Sequence, residues 1–481
     1  MAMYRDARNM SISAFLATAL IAVRSILVLE IVGPETIGIW KSAMVLFFAC
    51  EFVRLGLPTG IGLRLPVLLG QRNSGEAEQT VRAAGSALIV MGAVVGLLIF
   101  GGSFLVDSGQ YRLALWFVAL IIAFSFPQAV LREIAGAQHL FAVRVKEALL
   151  EAVVNFVATL VLASMFGLAG LGTAVVLSTL LPALYLWWRL KMPVTVRFDV
   201  PRLRTLIGAG LPYSFMESAF HVARYMGVFL IAVILGPTEA GYYALAMLVM
   251  DFSATVARMG ISKVITPYLL REYGRVGSLT DVAGFFEAPI RLFCYTVPPV
   301  LGIGVLVLPE FVNRLLPHYT AGVPAAQTIL WAVFFLALHS ALGSFISAAG
   351  KVGFILKFSL GLLPVGIGVQ YLVIRAGYGI GGVAWTTVAC LGLIATAQLW
   401  VAKRESGQSG AGMAAYLVSL YLPFAVSIAL TMGIRSLGFH ALMPELLGVL
   451  VASAVFLVAY VPLLAAYEMR FSLIRTVRQA M

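Results

Sequence analysis

The chain has 481 residues, of which 61% are hydrophobic and only 11% are charged. Soluble domains carry about 25% charged residues, so this composition excludes a soluble enzyme and indicates a protein embedded in a lipid bilayer. The formal net charge of +12 does not indicate a nucleic-acid partner, because the basic residues follow the predicted membrane topology.

Apolar stretches long enough to cross a bilayer follow one another along the chain, and we predict about 14 transmembrane helices. This pattern predicts an all-α integral membrane protein. The predicted spans are 11–33, 36–58, 79–106, 111–135, 143–166, 169–189, 206–235, 238–269, 282–308, 322–348, 352–374, 380–401, 412–434 and 444–467.

The lysines and arginines outside the spans are strongly biased to one side of the membrane. Most fall in the termini and the even-numbered connections, and the opposite side receives only Arg112, Arg314, Arg375 and Arg435. By the positive-inside rule, we predict a multi-pass protein of the inner (plasma) membrane with both termini in the cytoplasm.

A short motif occurs twice and indicates an internal duplication. Both Gly33–Gly38 and Gly236–Gly241 have the pattern G-P-x-x-x-G, and each lies between two long apolar stretches. We interpret each copy as a tight turn, because proline is tolerated in the first turn of a helix. Internal repeats in a membrane protein are typical of transporters that alternate around a central site.

The duplication predicts four segments. Two six-helix bundles, 1–192 and 206–405, are expected to be related by a pseudo-two-fold axis along the membrane normal, because an even number of spans returns the chain to the same side. A cytoplasmic linker (193–205) joins them, and two additional C-terminal helices with a cytoplasmic tail form the remainder (406–481).

Charged residues inside the predicted spans are the candidates for function, because they are costly in lipid and usually face a bundle interior or a wet cavity. Measured from the G-P motifs, Arg24 and Arg224 precede the two copies at similar distances, and Arg54 and Arg258 follow them. We predict a cationic cavity that binds a phosphorylated substrate headgroup, because arginine binds phosphate oxygens in pairs. The predicted substrate-binding residues are Arg24, Arg54, Arg224, Arg258, Lys41 and Arg291.

Acidic and histidine side chains near these cations are the candidates for ion coupling. They are Glu51, Glu217, His221 and Asp251, with Na⁺ or H⁺ as the candidate coupling ion. A structural role stays open, because Glu51–Arg54 and Glu287–Arg291 have the spacing of ion pairs along a helix. No phosphate-binding loop or metal-binding motif is present, so we predict a protein that is not an enzyme and holds no cofactor or metal.

The stretch Ile31–Trp40, followed by Arg54–Leu57, resembles the opening of the polysaccharide-biosynthesis flippases, which belong to the superfamily of the MATE exporters and the lipid II flippase. Leu235–Tyr242, Gly136–Gln138 and Gly167–Ala174 extend the resemblance. It implies two bundles with alternating access and a cavity lined by Arg24, Arg54 and Arg258. It also implies that the two C-terminal helices form a groove for a lipid tail.

The resemblance implies a flippase that moves an undecaprenyl-pyrophosphate-linked oligosaccharide to the outer leaflet for O-antigen, capsule or exopolysaccharide assembly. The expected partners are that lipid-linked glycan, membrane lipid and a downstream polymerase or ligase. Three alternatives stay open: a MATE-type cation-coupled drug exporter, a lipid II flippase, and a membrane enzyme acting on the same lipid carrier.

Overall fold

The fold is all-α in a computed structural model, which describes residues 18–190, 198–257, 283–405, 412–438 and 445–471. No strand occurs within these ranges. The helices are α1 (18–32), α2 (Pro34–Cys50), α3 (Leu57–Gly70), α4 (Ser74–Ser103), α5 (Gly109–Ala137), α6 (Phe141–Leu190), α7 (Val200–Ile234), α8 (Pro237–Ala257), α9 (Ala283–Leu315), α10 (Val323–Ala348), α11 (Val352–Arg375), α12 (Gly379–Glu405), α13 (Gly412–Ser436) and α14 (Glu445–Phe471).

Ten helices within the described ranges are long and apolar enough to cross a membrane. One of them, the 50-residue α6, folds back on itself at Gly167, where the backbone leaves the helical region with φ 54°. The side chains of Asn155 and Ser178 form a hydrogen bond of 3.0 Å, although a straight helix would separate these residues by about 35 Å. The two arms of α6 are therefore antiparallel, in agreement with the two spans predicted there.

The helix that begins at Pro34 is interrupted in its middle. After α2 the chain forms a single 3₁₀ turn, Glu51–Arg54, and then takes two left-handed residues, Leu55 with φ 49° and Gly56 with φ 72°. A left-handed residue ends a helix, so the axis is re-aimed before α3 begins at Leu57. This break places Arg54 in an irregular turn instead of on a helix face.

Contacts divide the chain into two units, Met1–Ala244 and Leu245–Met481, and α8 runs across the boundary. The predicted segments at 1–192, 193–205, 206–405 and 406–481 follow the sequence duplication and stay predictions. Helix α7 belongs to the second predicted repeat but lies in the first contact unit, because it packs closely against α2 and α3.

The two G-P motifs contact each other within the first unit. Gly33 (φ 81°) and Gly236 (φ 101°) adopt positive φ just before Pro34 and Pro237, as a tight turn requires. The second glycines have a different role. A Cβ atom at Gly38 would overlap the carbonyl oxygen of Pro237, and a Cβ atom at Gly241 would overlap that of Pro34. The crossing of α2 and α8 is therefore reciprocal, as expected for duplicated elements.

A second crossing without side chains joins α3 to α7. A Cβ atom at Gly60 would overlap the backbone of Leu206, and one at Gly210 would overlap the carbonyl oxygen of Gly56. Small residues allow membrane helices to approach until their backbones touch. This contact fixes the break after Arg54 against α7.

The second unit is held by an aromatic interior. Phe334 of α10 stacks on Phe424 of α13 with ring centroids 4.6 Å apart. Helix α14 packs against α9, where the hydroxyl of Tyr460 donates to the carbonyl oxygen of Tyr295 at 3.1 Å. The two C-terminal helices are thus integral to the core of this unit.

Candidate functional site

Arg54 is held by its own bundle. Its guanidinium donates to Glu51 Oε2 at 2.8 Å and to Ser125 Oγ at 3.2 Å, and its Cζ lies 4.6 Å from the centroid of the Phe126 ring. The 3₁₀ turn brings Glu51 and Arg54 to the same side, and α5 supplies the other two contacts. The ion pair considered as the structural alternative is therefore formed.

Arg24 on α1 has a different environment. Its one hydrogen bond within the described ranges runs from Nη1 to Ser25 Oγ at 3.5 Å, and the buried Nε has no partner there. None of the carboxylates that the structure describes forms an ion pair with it. An arginine in a membrane segment with an unpartnered buried Nε is suited to an anionic ligand.

Three aromatic rings join α7 to α2 beside two predicted site residues. Tyr225 stacks on Phe48 with centroids 4.2 Å apart, and the His221 ring lies parallel to Phe48 at 5.9 Å. Arg224 is 3% exposed, and its Cζ lies 5.2 Å from the Tyr225 ring centroid. The predicted stripe on α7 therefore faces the protein interior at His221 and Arg224.

Of the other predicted residues, the structure describes the side chains of some and not of others. Lys41 lies half-buried on α2 and Asp251 half-buried on α8, and each makes interactions in the structure. Glu217 lies on α7, but its side chain is outside the described part, as is all of Arg258. The predicted match between Arg54 and Arg258 is therefore not described.

Arg291 lies in a charged cluster at the start of α9. Glu287 Oε1 accepts a hydrogen bond of 2.5 Å from Lys403 Nζ, and Arg291 Nη2 lies 3.7 Å from Glu287 Oε2. Both cations lie over the ring of Tyr416, Lys403 at 4.4 Å and Arg291 at 5.4 Å from its centroid. The sequence assigned Lys403 to a cytoplasmic connection, whereas the structure buries it.

A second buried network was missed by the sequence prediction. Glu147 on α6 is almost fully buried and accepts hydrogen bonds from Arg132 Nε at 2.7 Å and from Arg144 Nη1 at 3.3 Å. Arg132 also pairs with Glu151, and Gln128 reaches Glu147 at 3.4 Å. The sequence signal for this network is the i, i+4 spacing of Glu147 and Glu151, which places both carboxylates on one face of α6.

These contacts separate two kinds of arginine in the first unit. Arg54 and Arg132 hold carboxylates of their own bundle, whereas the described contacts of Arg24 include none. Within the described ranges, no group of three or more histidine, cysteine or acidic side chains is placed to hold a metal ion. The geometry thus offers binding and electrostatic attraction to an anion.

A family model described as polysaccharide biosynthesis protein matches residues 15–306. The chain belongs to this family. The match covers more than half of the chain and includes both G-P motifs, Arg24, Arg54 and the Arg132–Glu147 network. The resemblance stated from Ile31–Trp40 and the later motifs is therefore confirmed. Among curated protein sequences, none matches the chain significantly.

Two solved structures of other proteins have a fold similar to that of this family member. The lipid II flippase MurJ in an inward closed conformation matches with a TM-score of 0.67 at 12% identity, covering 94% of this chain and 99% of that one. An inward-facing multidrug resistance MATE family transporter of the MOP superfamily matches with a TM-score of 0.63 at 15% identity, covering 82% and 98%. These matches confirm the predicted all-α fold, which the chain shares with both structures.

Proposed function

We propose that this family member is a flippase for an undecaprenyl-pyrophosphate-linked oligosaccharide. It moves the lipid from the cytoplasmic to the outer leaflet by alternating access, for O-antigen, capsule or exopolysaccharide assembly. The observation that carries the proposal is the match of residues 15–306 to the polysaccharide biosynthesis family. The fold shared with MurJ and MATE transporters supports a transporter instead of an enzyme.

Arg24 supports an anionic headgroup as the cargo. A guanidinium in a membrane segment costs a few kcal/mol unless it is compensated, about 2.5–3.5 kcal/mol on insertion scales. The structure describes no carboxylate that compensates Arg24. A pyrophosphate would supply that charge and the missing acceptors. Arg224, Lys41, Arg291 and Arg258 stay further candidates, with Glu51, Glu217, His221 and Asp251 as candidates for coupling to Na⁺ or H⁺.

The two glycine crossings support alternating access. The α2–α8 contact at Gly38 and Gly241 lies at the predicted outer ends of these helices, and the α3–α7 contact at Gly60 and Gly210 lies toward their predicted cytoplasmic ends. A cycle would open one crossing while the other stays closed. We place the protein in the inner membrane with both termini in the cytoplasm, supplying a polymerase or ligase on the outer face.

Lipid II is a second candidate cargo, because MurJ matches over 94% of this chain. It shares the undecaprenyl pyrophosphate carrier and differs in the sugar portion. The candidate cations would contact the pyrophosphate, which both lipids carry. They therefore do not distinguish the two cargoes, and an experiment has to.

Reconstituted vesicles test the proposal directly. Purified protein in vesicles would be given a fluorescent undecaprenyl-pyrophosphate oligosaccharide or fluorescent lipid II, and the fraction of each that becomes accessible to a membrane-impermeant quencher would be followed with time. We expect the oligosaccharide lipid to cross faster than lipid II and Arg24→Gln to slow it about tenfold or more.

Arg375→Gln is the matched control, because Arg375 is another arginine near a helix end whose described hydrogen bond is to Tyr371. The Arg375→Gln variant should move the lipid across the membrane at the wild-type rate. Equal rates for protein-free and protein-containing vesicles would overturn the flippase assignment, and faster lipid II crossing would replace the cargo.

A further inference from the structure

An apolar groove opens between α2, α5 and α7 of the first unit. Its volume is about 470 Å³, within the range of about 300–1,000 Å³ typical of small-ligand sites. Leu46, Phe229 and Val233 are exposed on its walls, so the groove is open at the protein surface. The groove is also lined by Ser42, Ala49, Val106, Tyr111, Met226 and Ala232.

The few polar atoms of the groove are satisfied by the protein. The hydroxyl of Ser42 donates to the carbonyl oxygen of Gly38 at 2.8 Å and lies 3.4 Å from the hydroxyl of Tyr111. A ligand in the groove therefore does not need to donate or accept a hydrogen bond there. Hydrocarbon is the chemistry that fits such a surface, because an unsatisfied polar group placed there would cost free energy.

A cation marks one end of the groove. Arg112 lies beside the lining residue Tyr111 and donates from Nη2 to the carbonyl oxygen of Val106, another lining residue, at 2.9 Å. Its buried Nε has no partner in the described part of the chain. Asp107 is exposed and forms no ion pair with Arg112 there. Arg112 is one of the four arginines that the topology places on the outer side.

The groove is shorter than one leaflet is deep and covers about two thirds of it. From Ser42 to Ala49 along α2 it extends about 10 Å, against about 15 Å for half of the hydrocarbon core. The Arg112 end lies at the predicted outer surface, and the Ala49 and Met226 end lies near the middle of the membrane. An anionic lipid of the outer leaflet has the same arrangement, with phosphate at the surface and hydrocarbon beneath it.

We propose that this groove, with Arg112 at its rim, holds the first isoprene units of the tail of the lipid-linked product in the outer leaflet, while Arg112 contacts the phosphate. The inference rests on the proposed function and adds a second site to it. The branched, bulky isoprenoid chain fills a wide groove lined by Phe229, Met226 and Leu46, and an anionic phosphate complements the rim. The groove is thus the place from which the product leaves laterally.

Photo-crosslinking tests the occupant. Benzoylphenylalanine would replace Phe229 in the groove or, as control, Leu97, an exposed residue at a similar depth on α4. Each protein in phosphatidylcholine vesicles would be irradiated with radiolabelled undecaprenyl pyrophosphate or with radiolabelled phosphatidic acid. With the isoprenoid, we expect the Phe229 position to be labelled about fivefold more strongly than the Leu97 position. With phosphatidic acid, we expect the two positions to be labelled equally.

Arg112→Gln should lower the isoprenoid labelling at Phe229 about three- to tenfold, whereas Arg375→Gln should leave it unchanged. Equal labelling of both positions by the isoprenoid would overturn the proposal. Equal enrichment of phosphatidic acid in the groove would assign it to bulk anionic phospholipid and would overturn it as well.

A groove-filling variant separates this inference from the proposed function. Ala232→Phe places a ring in the groove, and Ala465→Phe places one at an exposed alanine of α14 as control. We expect Ala232→Phe alone to abolish isoprenoid labelling at Leu46 carrying benzoylphenylalanine, with an unchanged Tm. Flipping by the wild type together with no labelling of the benzoylphenylalanine variants in the groove would refute the groove only. Groove labelling in those variants without flipping by the wild type would refute only the flippase assignment.

Discussion

Arg24 on α1 and Arg54 in the turn after α2 occupy equivalent roles in the sequence but different environments in the structure. Both are membrane arginines placed around the first G-P motif. Arg54 is held by Glu51, Ser125 and Phe126, whereas the described hydrogen bonding of Arg24 reaches only Ser25. The difference assigns Arg54 to the scaffold and leaves Arg24 as the candidate for ligand binding, because only Arg54 has a carboxylate partner in the described part of the chain.

The Arg132 network gives the largest expected effect and tests the scaffold side of this comparison. Arg132→Gln should lower the free energy of unfolding by about 3 kcal/mol, because Glu147 and Glu151 both lose this cation and the almost fully buried Glu147 keeps only Arg144, at 3.3 Å, as a described cationic partner. Chemical unfolding in mixed micelles measures it. Adding Glu147→Gln to this variant should recover part of the loss. An unchanged stability in the single variant would show that these charges are solvated.

The glycine contact that seats the Arg54 turn comes next. Gly210→Ala should destabilise the protein by about 2 kcal/mol, because the added Cβ atom would overlap the carbonyl oxygen of Gly56, which is backbone and cannot rotate away. Gly208→Ala is the matched control on the same helix, since nothing lies within 4 Å of its Cβ position. Thermal unfolding in detergent compares the two. Equal Tm values would mean that the crossing is loose.

Removing Arg54 itself should cost slightly less. Arg54→Gln should lower the free energy of unfolding by about 1–2 kcal/mol, less than for a fully buried pair because the Glu51 side chain is 25% exposed. In the vesicle assay, the loss of flipping should parallel the loss of folded protein. A variant with normal Tm but no flipping would move Arg54 to the ligand-binding group beside Arg24.

Arg24 is expected to behave in the opposite way. Arg24→Gln should change the free energy of unfolding by less than about 0.5 kcal/mol, because no described carboxylate depends on it. Affinity for undecaprenyl pyrophosphate should fall about tenfold, which corresponds to the loss of one charge-assisted hydrogen bond. Equilibrium binding in detergent measures it. A large stability loss with unchanged affinity would erase the distinction drawn from the structure.

Much of the fold could be predicted from local sequence signals. Proline after a positive-φ glycine marks the starts of α2 and α8, and Gly167 marks the turn within α6. The reciprocal contact of Gly38 and Gly241 could not be predicted, because the same pattern serves a tight turn alone, and only the positions of α2 and α8 in space reveal the second role.

The candidate site was predictable only in its residue types. Spacing from the G-P motif gives Arg24 and Arg54 the same role. It carries no information about their partners, and Ser125 and Phe126, which contact Arg54, come from a distant segment. The burial of Glu147 and Lys403 also depends on tertiary packing. Both lie near predicted span ends, where the hydropathy pattern of a solvated charge and of a buried one is the same.

The Glu287 cluster of the second unit should show the smallest loss of stability among the ion-paired sites. It tests whether a second cation beside the same carboxylate reduces the cost of removing the first. Lys403 donates to Glu287 at 2.5 Å, and Arg291 lies 3.7 Å from the other oxygen of the same carboxylate. Lys403→Gln should therefore lower the free energy of unfolding by only about 1 kcal/mol, because Arg291 still neutralises Glu287 and glutamine keeps a hydrogen-bond donor. The double variant with Arg291→Gln should lose more than the sum of the two single losses, since the carboxylate then loses both of these cations. Additive losses would show that Lys403 and Arg291 act on Glu287 independently, and that neither compensates for the loss of the other.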